Sequence, residues 1–502
     1  MGRTILIQSI LAAALLCSCA PIQEKAEIRL VRNGESAQLY LNGSPFIILG
    51  GELANSSASS SRYMDGRDSW RKLKDAGLNT VLAPVYWEMI EPEEGKFDFS
   101  SAEYLISSAR ENDLHLILLW FGTWKNSMSC YVPSWMKKEF GGRFTLAVDG
   151  NGDTPEILSA FDTASMEADK KAFSALMEFL KEKDGSTGTV LMVQVENEIG
   201  MLGSAREHGQ KAEALWKEEY PDGGSIMDEE RFQARYYARY AGEVAAAGKE
   251  KYDIPMYVNA ALNSRGRKPG EYPSAGPLDH LMDIWKAEAP AIDIISPDIY
   301  DPGFTDWTAR YSRDDNPLFI PEIRQEKDNA TRVFYALGAH SALGFSPFSI
   351  DNGTEAIEKS YRLLEGFLPQ IAKAQEEGRV HGVLCDRDNP ETVLTAGEVT
   401  FTIRHDGTIS WSPVAGDPDN WGEGAFLIIE EGEGEFLFLG TGCVATMSPS
   451  DGKGHIGILS IEELSAEGSV LRRLNGDEDH QGRHLRIPYG EVGAQRLKIY
   501  RY

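Results

Sequence analysis

Two acidic motifs stand directly after short apolar runs in this sequence of 502 residues, and their residue types suit acid–base chemistry. The run Val190–Val195 is followed at once by Glu-Asn-Glu, which ends at Glu198, and the run Leu318–Ile320 is followed after one proline by Glu322. A single Glu at a strand end often caps the next helix, but acidic and amide groups packed this tightly are hard to explain by solubility. Two facing carboxyl groups can divide a hydrolysis between them, one protonated as a general acid and one ionised as a nucleophile.

The chain between residues 46 and 375 alternates short apolar runs with stretches of helical period, and this alternation must position the two motifs. Eight runs predict strands: Phe46–Gly50, Thr80–Val85, Leu114–Trp120, Val190–Val195, Pro255–Val258, Ile292–Ile299, Leu318–Ile320 and Ala342–Pro347. Helices are predicted over Asp68–Ala76, Ala102–Asn112, Ser165–Lys183, Asp228–Lys251, Arg332–Ala339 and Thr354–Gln375. Strands that alternate with helices imply parallel pairing, and eight such units favour a (β/α)8 TIM barrel over an open doubly wound sheet.

In a (β/α)8 barrel the catalytic groups lie at the carboxyl ends of the strands, where the βα loops form the open face. Glu198 and Glu322 would then face each other across the barrel mouth, from the fourth and seventh strands. Retaining glycoside hydrolysis needs such a pair at a separation of about 5–5.5 Å. Arg324 is expected to help keep Glu322 ionised if its side chain turns inward, with surface charge pairing as the alternative.

The segment Gln-Val-Glu-Asn-Glu-Ile-Gly over residues 194–200 closely resembles the acid/base segment of glycoside hydrolase family 35. This resemblance implies that Glu198 is the general acid/base and that Asn197 binds the sugar hydroxyl next to the anomeric carbon. It also implies that Glu322 is the nucleophile. Tyr300, at the end of the sixth strand, matches the place where the larger clan often has a Tyr bonded to the nucleophile, with core packing as the alternative.

Residues 77–80 and 91–98 resemble the second-strand region of the same family, whereas two other segments depart from it. Family 35 galactosidases usually carry Tyr-Val-Pro-Trp after strand two and Cys-Ala-Glu-Trp after strand three, whose Tyr and Glu help to read galactose. This chain has Pro84–Trp87 and Trp120–Asn126 instead, and residues 133–135 are similar to galactosidase family 42. The resemblance therefore implies retaining glycosidase chemistry and leaves the sugar specificity open.

Other polar and aromatic residues near strand ends are candidates for binding a sugar. Glu52, after the first strand, and Asn259, after the fifth, are expected to bind sugar hydroxyls. Sugar rings stack on aromatic faces, although each aromatic residue taken alone is more often packed in a core. The aromatic candidates are Tyr86, Trp87, Trp120, Trp124, Trp135 and Trp285.

The two ends of the chain carry different signals. Residues 1–18 combine a basic start with a short apolar run, which predicts a lipoprotein-type signal peptide, with plain secretion as the alternative. The following Cys19 is the expected lipidation site. A catalytic domain is predicted over residues 27–377 and includes an N-terminal hairpin. Residues 378–502 have short alternating runs between Gly, Asp and Asn, which predict an all-β sandwich. The protein is expected to be exported as a periplasmic or outer-membrane lipoprotein of a bacterium.

Composition excludes several classes of partner and chemistry. A formal charge of −27 disfavours nucleic acid, and the only membrane contact expected is the lipid anchor. The nine His show no HxH spacing and include one HxxxH pair, at residues 480 and 484, so no metal site of several ligands is predicted. No cofactor is expected because retaining hydrolysis requires none. No GxSxG nucleophile elbow is present. Cys130, Cys385 and Cys443 are predicted to be buried free thiols.

Together the motifs and the resemblance predict a retaining exo-β-glycosidase that hydrolyses terminal sugars of oligo- or polysaccharides. β-Galactosidase is the leading activity. A different specificity, for instance towards β-glucosides, is one alternative. A catalytically inactive glycan-binding lipoprotein is another. The sandwich is expected to shield the barrel, with an independent carbohydrate-binding module as the alternative.

Overall fold

The computed structural model describes residues 25–33, 36–476 and 483–502, so Cys19 and the predicted signal peptide lie outside the described residues. The strands are β1 Ile28–Asn33, β2 Ser36–Leu41, β3 Ser44–Phe46, β4 Ile48–Leu49, β5 Thr80–Tyr86, β6 His115–Phe121, β7 Val190–Val195, β8 Met256–Ala261, β9 Ile294–Ile299, β10 Ile320–Ile323, β11 Gly344–Pro347, β12 Val380–Cys385, β13 Glu391–Ala396, β14 Val399–His405, β15 Gly424–Gly432, β16 Glu435–Thr441, β17 Cys443–Pro449, β18 Ile456–Leu464, β19 Val470–Arg473, β20 His484–Ile487 and β21 Gly493–Arg501. The α-helices are α1 Ser61–Gly66, α2 Ser69–Asp75, α3 Trp87–Ile90, α4 Ser100–Glu111, α5 Ser134–Lys137, α6 Thr163–Asp184, α7 Gln210–Glu219, α8 Ile226–Lys251, α9 Met282–Glu288, α10 Phe304–Tyr311, α11 Asn329–Ala339, α12 Glu358–Glu365 and α13 Leu368–Glu376.

The eight strands β4 to β11 form one parallel sheet that closes into a barrel. The sheet order is β4-β11-β10-β9-β8-β7-β6-β5, and Glu52 joins its two ends by pairing with both Leu82 of β5 and Phe348 after β11. The amide of Leu82 donates to the oxygen of Gly51 at 2.9 Å, and the amide of Leu53 donates to the oxygen of Leu82 at 3.0 Å. The predicted (β/α)8 barrel is therefore confirmed.

Burial explains why these segments form a covered parallel sheet. Every residue of β5, β7, β9, β10 and β11 is buried, as expected for strands with side chains in the barrel interior on one face and helices on the other. The long helix α6 turns Phe173, Leu176, Met177 and Leu180 inward, and the carboxylate of Asp162 caps its first turn. The longest connections follow the carboxyl ends of β6, β7 and β8, which is the face where the acidic motifs lie.

The predicted last helix of the barrel is divided in two, and the prediction of one helix over Thr354–Gln375 is wrong. Helix α12 ends at Glu365 and α13 starts at Leu368. Pro369 has no amide hydrogen and its ring would clash with the carbonyl of Glu365, so one helix cannot run through this segment. Gly366 lies at the break, and a Cβ there would overlap the carbonyl oxygen of Ala466 in the C-terminal region.

The C-terminal strands form two antiparallel sheets, with orders β12-β15-β16-β21-β18-β19 and β13-β14-β17-β20. Phe401 and Ile403 of one sheet pack with Phe426 and Ile428 of the other in a separate apolar core, so the predicted all-β sandwich is confirmed. The residues that alternate with them in β15 pack against the barrel core, which explains why this strand is apolar on both faces. One of the short runs that predict strands in the sequence, Ile409–Ser412, does not form a strand, because these residues form turns and bends.

The predicted division of the chain at residues 377 and 378 stays a prediction. The first strand of the sandwich begins at Val380.

Cys130, Cys385 and Cys443 are buried free thiols. Within the described part of the chain, no helix combines the length and the apolar character needed to cross a membrane.

Candidate active site

The barrel brings five of the predicted site residues to its open face. Glu198 follows β7, Tyr300 follows β9, and Glu322 lies in β10, near its carboxyl end. Glu52 follows β4 at the point where the barrel closes, and Asn259 lies in β8. The fourth and seventh strands therefore present their glutamates at the same face of the barrel, because the strands run parallel, and the charge of Glu198 acts on Glu322 there.

Glu322 is 7% exposed and receives hydrogen bonds from two sides. The phenol of Tyr300 donates to its Oε1, and the carboxyl of Glu52 donates a second hydrogen bond. Burial and the charge of Glu198 raise the pKa of Glu322 to about 7, while the two hydrogen bonds and the cation of Lys125 act in the opposite direction. Burial and the charge of Glu322 raise the pKa of Glu52 well above its ordinary value, so this carboxyl holds the proton that it donates.

Glu198 is only half-buried, but its backbone is held in an unusual conformation. Its φ is 44° and that of Glu196 is 62°, a left-handed region that costs a residue with a Cβ about 1 kcal/mol or more. The amide of Glu198 donates to Oδ1 of Asn259 at 3.1 Å. Burial of its carboxyl raises the pKa of Glu198 and Lys125 lowers it, with burial the larger effect. A raised pKa suits a group that must donate a proton.

Hydrogen bonds between side-chain amides support the loop that carries Glu198. Oδ1 of Asn197 accepts from Gln194 at 2.7 Å and from Asn259 at 2.9 Å, and its amide donates to the oxygen of Lys125 at 2.7 Å. The second amide hydrogen of Asn259 goes to Oδ2 of Asp298 at 2.7 Å. Both donor hydrogens of Asn259 are thus used within the protein. Asn259 therefore supports the loop that carries Glu198, and its role as a hydroxyl ligand, like sugar binding by Asn197, stays a prediction.

Two charged residues of this site were not predicted. Asp298 is 1% exposed and lies beside Glu322 in the register of β9 and β10, and burial and the charges of three neighbouring glutamates raise its pKa. It lies two residues before Tyr300, and strand side chains alternate, so the strand period could have indicated it. Lys125 follows β6, and its charge acts on Glu52, Glu198 and Glu322. No local pattern distinguishes it from a surface lysine.

The motif glutamate that precedes Asn197 has a supporting position. Glu196 is fully buried, and its Oε2 accepts from the amide of Trp124 at 2.8 Å. Burial and the charge of Asp169 raise its pKa. Asp169 in turn accepts from Trp120 at 2.9 Å and from Thr123 at 2.7 Å. This buried cluster fixes the loop that carries Lys125 relative to the loop that carries Glu198.

The predicted stacking roles of the aromatic residues are largely corrected by their burial. Trp87 and Trp120 are both 0% exposed, with indole nitrogens bonded to Glu91 and Asp169, so neither presents a face to a ligand. Tyr86 is 3% exposed and donates to the oxygen of Asn55 at 2.6 Å. Their bulk completes the core between the barrel and its helices. The other buried candidates are Trp124 and Trp285, and Trp135 is half-buried.

The expected role of Arg324 is also corrected. Its guanidinium is largely exposed and lies 5.5 Å from the centre of the Tyr300 ring and 4.0 Å from Glu326. The cation that lowers the pKa of Glu322 is Lys125. Among residues 25–33, 36–476 and 483–502, no group of three or more His, Cys, Asp or Glu is arranged to hold a metal ion.

Comparison with known proteins agrees with this arrangement. Residues 38–230 match the model of glycosyl hydrolases family 35, and residues 357–486 match a domain of unknown function, DUF5597. The chain is 26% identical over 193 residues to a β-1,2-glucosyltransferase of Ignavibacterium album, covering 35% of this chain and 26% of that protein. It is 32% identical over 168 residues to β-galactosidase-1-like protein 3 of Homo sapiens, covering 32% of this chain and 23% of that protein.

The chain thus spans about a quarter of the length of these curated relatives. Among solved structures, β-galactosidase from the psychrophilic Marinomonas ef1 superposes with a TM-score of 0.50 at 12% identity, over 66% of this chain and 62% of that one. Because only 12% of the aligned residues are identical, this similarity shows a shared fold alone. The resemblance drawn from the motifs is confirmed over residues 38–230, where the chain is similar to glycosyl hydrolases family 35, and its barrel carries Glu198 and Glu322 at the carboxyl ends of two strands.

Proposed function

We propose that this protein is an exo-acting retaining β-glycosidase, with β-galactosides as the leading substrates. The observation that supports the proposal most directly is the placement of Glu198 and Glu322 at the carboxyl ends of β7 and β10. Glu322 is buried and hydrogen-bonded by Tyr300 there, and its charge state depends on Glu198. Two carboxyls whose environments differ in this way can take the two roles of a double displacement.

In the proposed reaction, Glu198 protonates the leaving oxygen while Glu322 attacks the anomeric carbon and forms a glycosyl-enzyme. Glu198 then accepts a proton from water, which attacks the same carbon and releases the sugar with retained configuration. Tyr300 and Glu52 stabilise the ionised form of Glu322 before attack, since both donate to its oxygens. As charge leaves Glu322 on bond formation, these donors are free to bond the ring or hydroxyl oxygens of the sugar.

The proposal also concerns which sugar the enzyme removes. After β6 the chain has the segment 120–126, which contains Lys125 and offers no evident counterpart of the glutamate that reads galactose in the resembled family. A β-glucoside or another β-glycoside is therefore the alternative substrate, and a catalytically inactive glycan-binding protein is the alternative from another class. Similarity to a named glucosyltransferase adds transfer to a sugar acceptor as an outcome that product analysis should include.

The decisive experiment is hydrolysis of p-nitrophenyl α- and β-glycosides of galactose, glucose, mannose and xylose by the wild type, Glu198→Gln, Glu322→Gln and the control Glu355→Gln, an exposed glutamate after β11. We expect turnover of one β-glycoside, a loss of about a thousandfold or more in Glu322→Gln, and wild-type rates in the control. Glu198→Gln should be rescued by azide, which needs no general base, with a β-glycosyl azide as product. Wild-type rates in both variants would contradict the assignment, and no turnover of any glycoside by the wild type would favour the binding protein.

We also propose export as a lipoprotein acylated at Cys19. Mass spectrometry of the membrane-extracted protein should show a lipid-modified N-terminal cysteine, and Cys19→Ala should release the protein from the membrane fraction. An unmodified N-terminus in the membrane fraction would contradict this.

A further inference from the structure

A cavity of about 500 Å³ lies where the barrel meets the sandwich, and the proposed function does not use it. Its barrel side includes Tyr300, Thr305 and Arg324, and its sandwich side includes Leu384 and Asp386. Tyr300 belongs to both places, because it lines this cavity while its hydroxyl donates to Glu322. We call this space the junction cavity. One of its lining residues, Tyr300, is therefore also the hydrogen-bond partner of the proposed nucleophile, Glu322.

The wall of the junction cavity is fixed by an ion pair between the two parts of the chain. Arg332 of α11 donates to Glu423 before β15 through two hydrogen bonds of 2.9 and 2.8 Å, and each side chain is 16% exposed. The hydroxyl of Thr331 donates to the backbone oxygen of Glu423 at 3.1 Å. These contacts hold the sandwich in register with the barrel, so Asp386 stays at a defined place relative to Tyr300.

The chemistry of the lining selects a class of ligand. Four carboxyl side chains, those of Asp301, Glu326, Asp386 and Glu423, stand against the two guanidinium groups of Arg324 and Arg332. This excess of negative charge disfavours an anionic ligand. Carboxylates and guanidinium groups accept from and donate to hydroxyls, and the volume falls within the range of about 300–1,000 Å³ that small-ligand sites have. A neutral, polyhydroxylated ligand fits these properties.

We propose that the junction cavity binds a further neutral sugar unit of the glycan whose terminal bond is held at Glu198 and Glu322. This inference rests on the proposed function. Because an exo-acting enzyme removes the terminal sugar, the further unit lies on the leaving-group side. The sandwich would then be part of the substrate site as well as a cover for the barrel. Substrates with only an aryl leaving group do not reach Asp386, whereas oligosaccharides do.

The test compares a short and a long substrate in variants of the junction cavity. Thr305→Trp fills it from an exposed position on the barrel side, and Asp386→Ala removes a polar group on the sandwich side. Asp388→Ala, two residues further in the same loop and not part of the lining, is the matched control. For p-nitrophenyl β-galactoside we expect kcat/KM within twofold of the wild type in all three. For β-1,4-galactotetraose or cellotetraose we expect a tenfold or larger loss through KM in the first two and no loss in the control.

A binding experiment distinguishes a failure of this inference from a failure of the proposed function. Each tetrasaccharide is titrated calorimetrically into Glu322→Gln and into Glu322→Gln combined with Thr305→Trp. Binding that weakens at least tenfold when the cavity is filled supports the inference even if the wild type turns over no glycoside, which would count against the proposed function alone. Equal affinity in both variants, or binding of neither tetrasaccharide, overturns the inference.

Discussion

At the scale of single residues, the charge state of Glu322 is set by opposing contacts. Burial and Glu198 favour its protonated form, whereas Tyr300, Glu52 and Lys125 favour its ionised form. Because Glu198 and Glu322 interact, their protons leave in steps that belong to the pair. A bell-shaped dependence of kcat/KM on pH is expected, with the acid limb set by ionisation of the nucleophile and the alkaline limb by loss of the proton from the acid.

Replacing Tyr300 by Phe should shift the acid limb to higher pH. The phenol donates to Glu322 and lowers its pKa, so its removal raises the pH at which the nucleophile ionises, by about one unit for a charge-assisted hydrogen bond. The measurement is kcat/KM of the best aryl glycoside between pH 4 and 9. An acid limb that stays in place, or moves to lower pH, would show that the hydrogen bond does not stabilise the ionised carboxylate.

Replacing Lys125 by Met should move both limbs in the same direction. Its cation lowers the pKa of Glu198 and of Glu322, and loss of the charge therefore raises both, so that both limbs move to higher pH. Lys125→Arg keeps the charge and should keep the profile. Because the backbone oxygen of Lys125 still accepts from Asn197 in both variants, a lower rate with an unmoved profile would indicate a packing role instead.

At the scale of elements, the ends of three neighbouring strands are tied by one side chain. Asn259 of β8 accepts from the amide of Glu198 after β7 and donates to Asp298 of β9. The left-handed backbone at Glu198 persists because this contact and the Asn197 contacts hold the loop. The position of Glu198, the proposed general acid, thus depends on contacts among the ends of β7, β8 and β9.

Asn259→Ala should misplace the acid without removing it. We expect kcat/KM to fall about tenfold to a hundredfold for a glycoside with a sugar leaving group. The loss should be smaller for a nitrophenyl leaving group, which needs little protonation to depart. Both substrates are measured on the same preparation, with circular dichroism as the control for folding. Equal losses on the two substrates would contradict a role exerted through Glu198.

At the scale of the whole molecule, the sandwich and the barrel share apolar and ionic contacts. Leu427, Leu437 and Leu439 of the six-stranded sheet belong to the same buried cluster as Val333 and Leu337 of α11. The ion pair between Arg332 and Glu423 lies at the edge of this contact. We therefore expect the barrel and the sandwich to unfold together.

Removing one partner of that ion pair should lower the free energy of unfolding much more than removing one partner of an exposed pair. Arg332→Ala leaves the carboxylate of Glu423 largely buried without its cation, and we expect a loss of about 3 kcal/mol in the free energy of unfolding, measured by urea denaturation. Arg313→Ala, which removes an exposed pair with Asp315, should cost below about 1 kcal/mol. Replacing Arg332 and Glu423 together by Met should recover most of the loss. Equal costs for the two single variants would argue against a role of the pair in holding the junction.

The sequence by itself determined the barrel and the places of its two glutamates. Alternation of apolar runs with helical stretches is a local property, and the carboxyl end of a strand is defined by where its apolar run stops. Glu198 and Glu322 were therefore identifiable from the residues that precede them, and the motif around Glu198 gave the family resemblance. The break at Gly366 was missed because helical spacing continued through it.

Only the tertiary structure decided what surrounds those glutamates. Glu52, Lys125 and Asp298 come from strands far apart in the chain, and they act on Glu322 because barrel closure brings their ends together. The same closure buried Trp87 and Trp120, whose sequence context does not distinguish a core residue from a stacking platform. Local patterns record which face of an element is apolar, but the charge and exposure of a side chain depend on neighbours that are distant in the sequence.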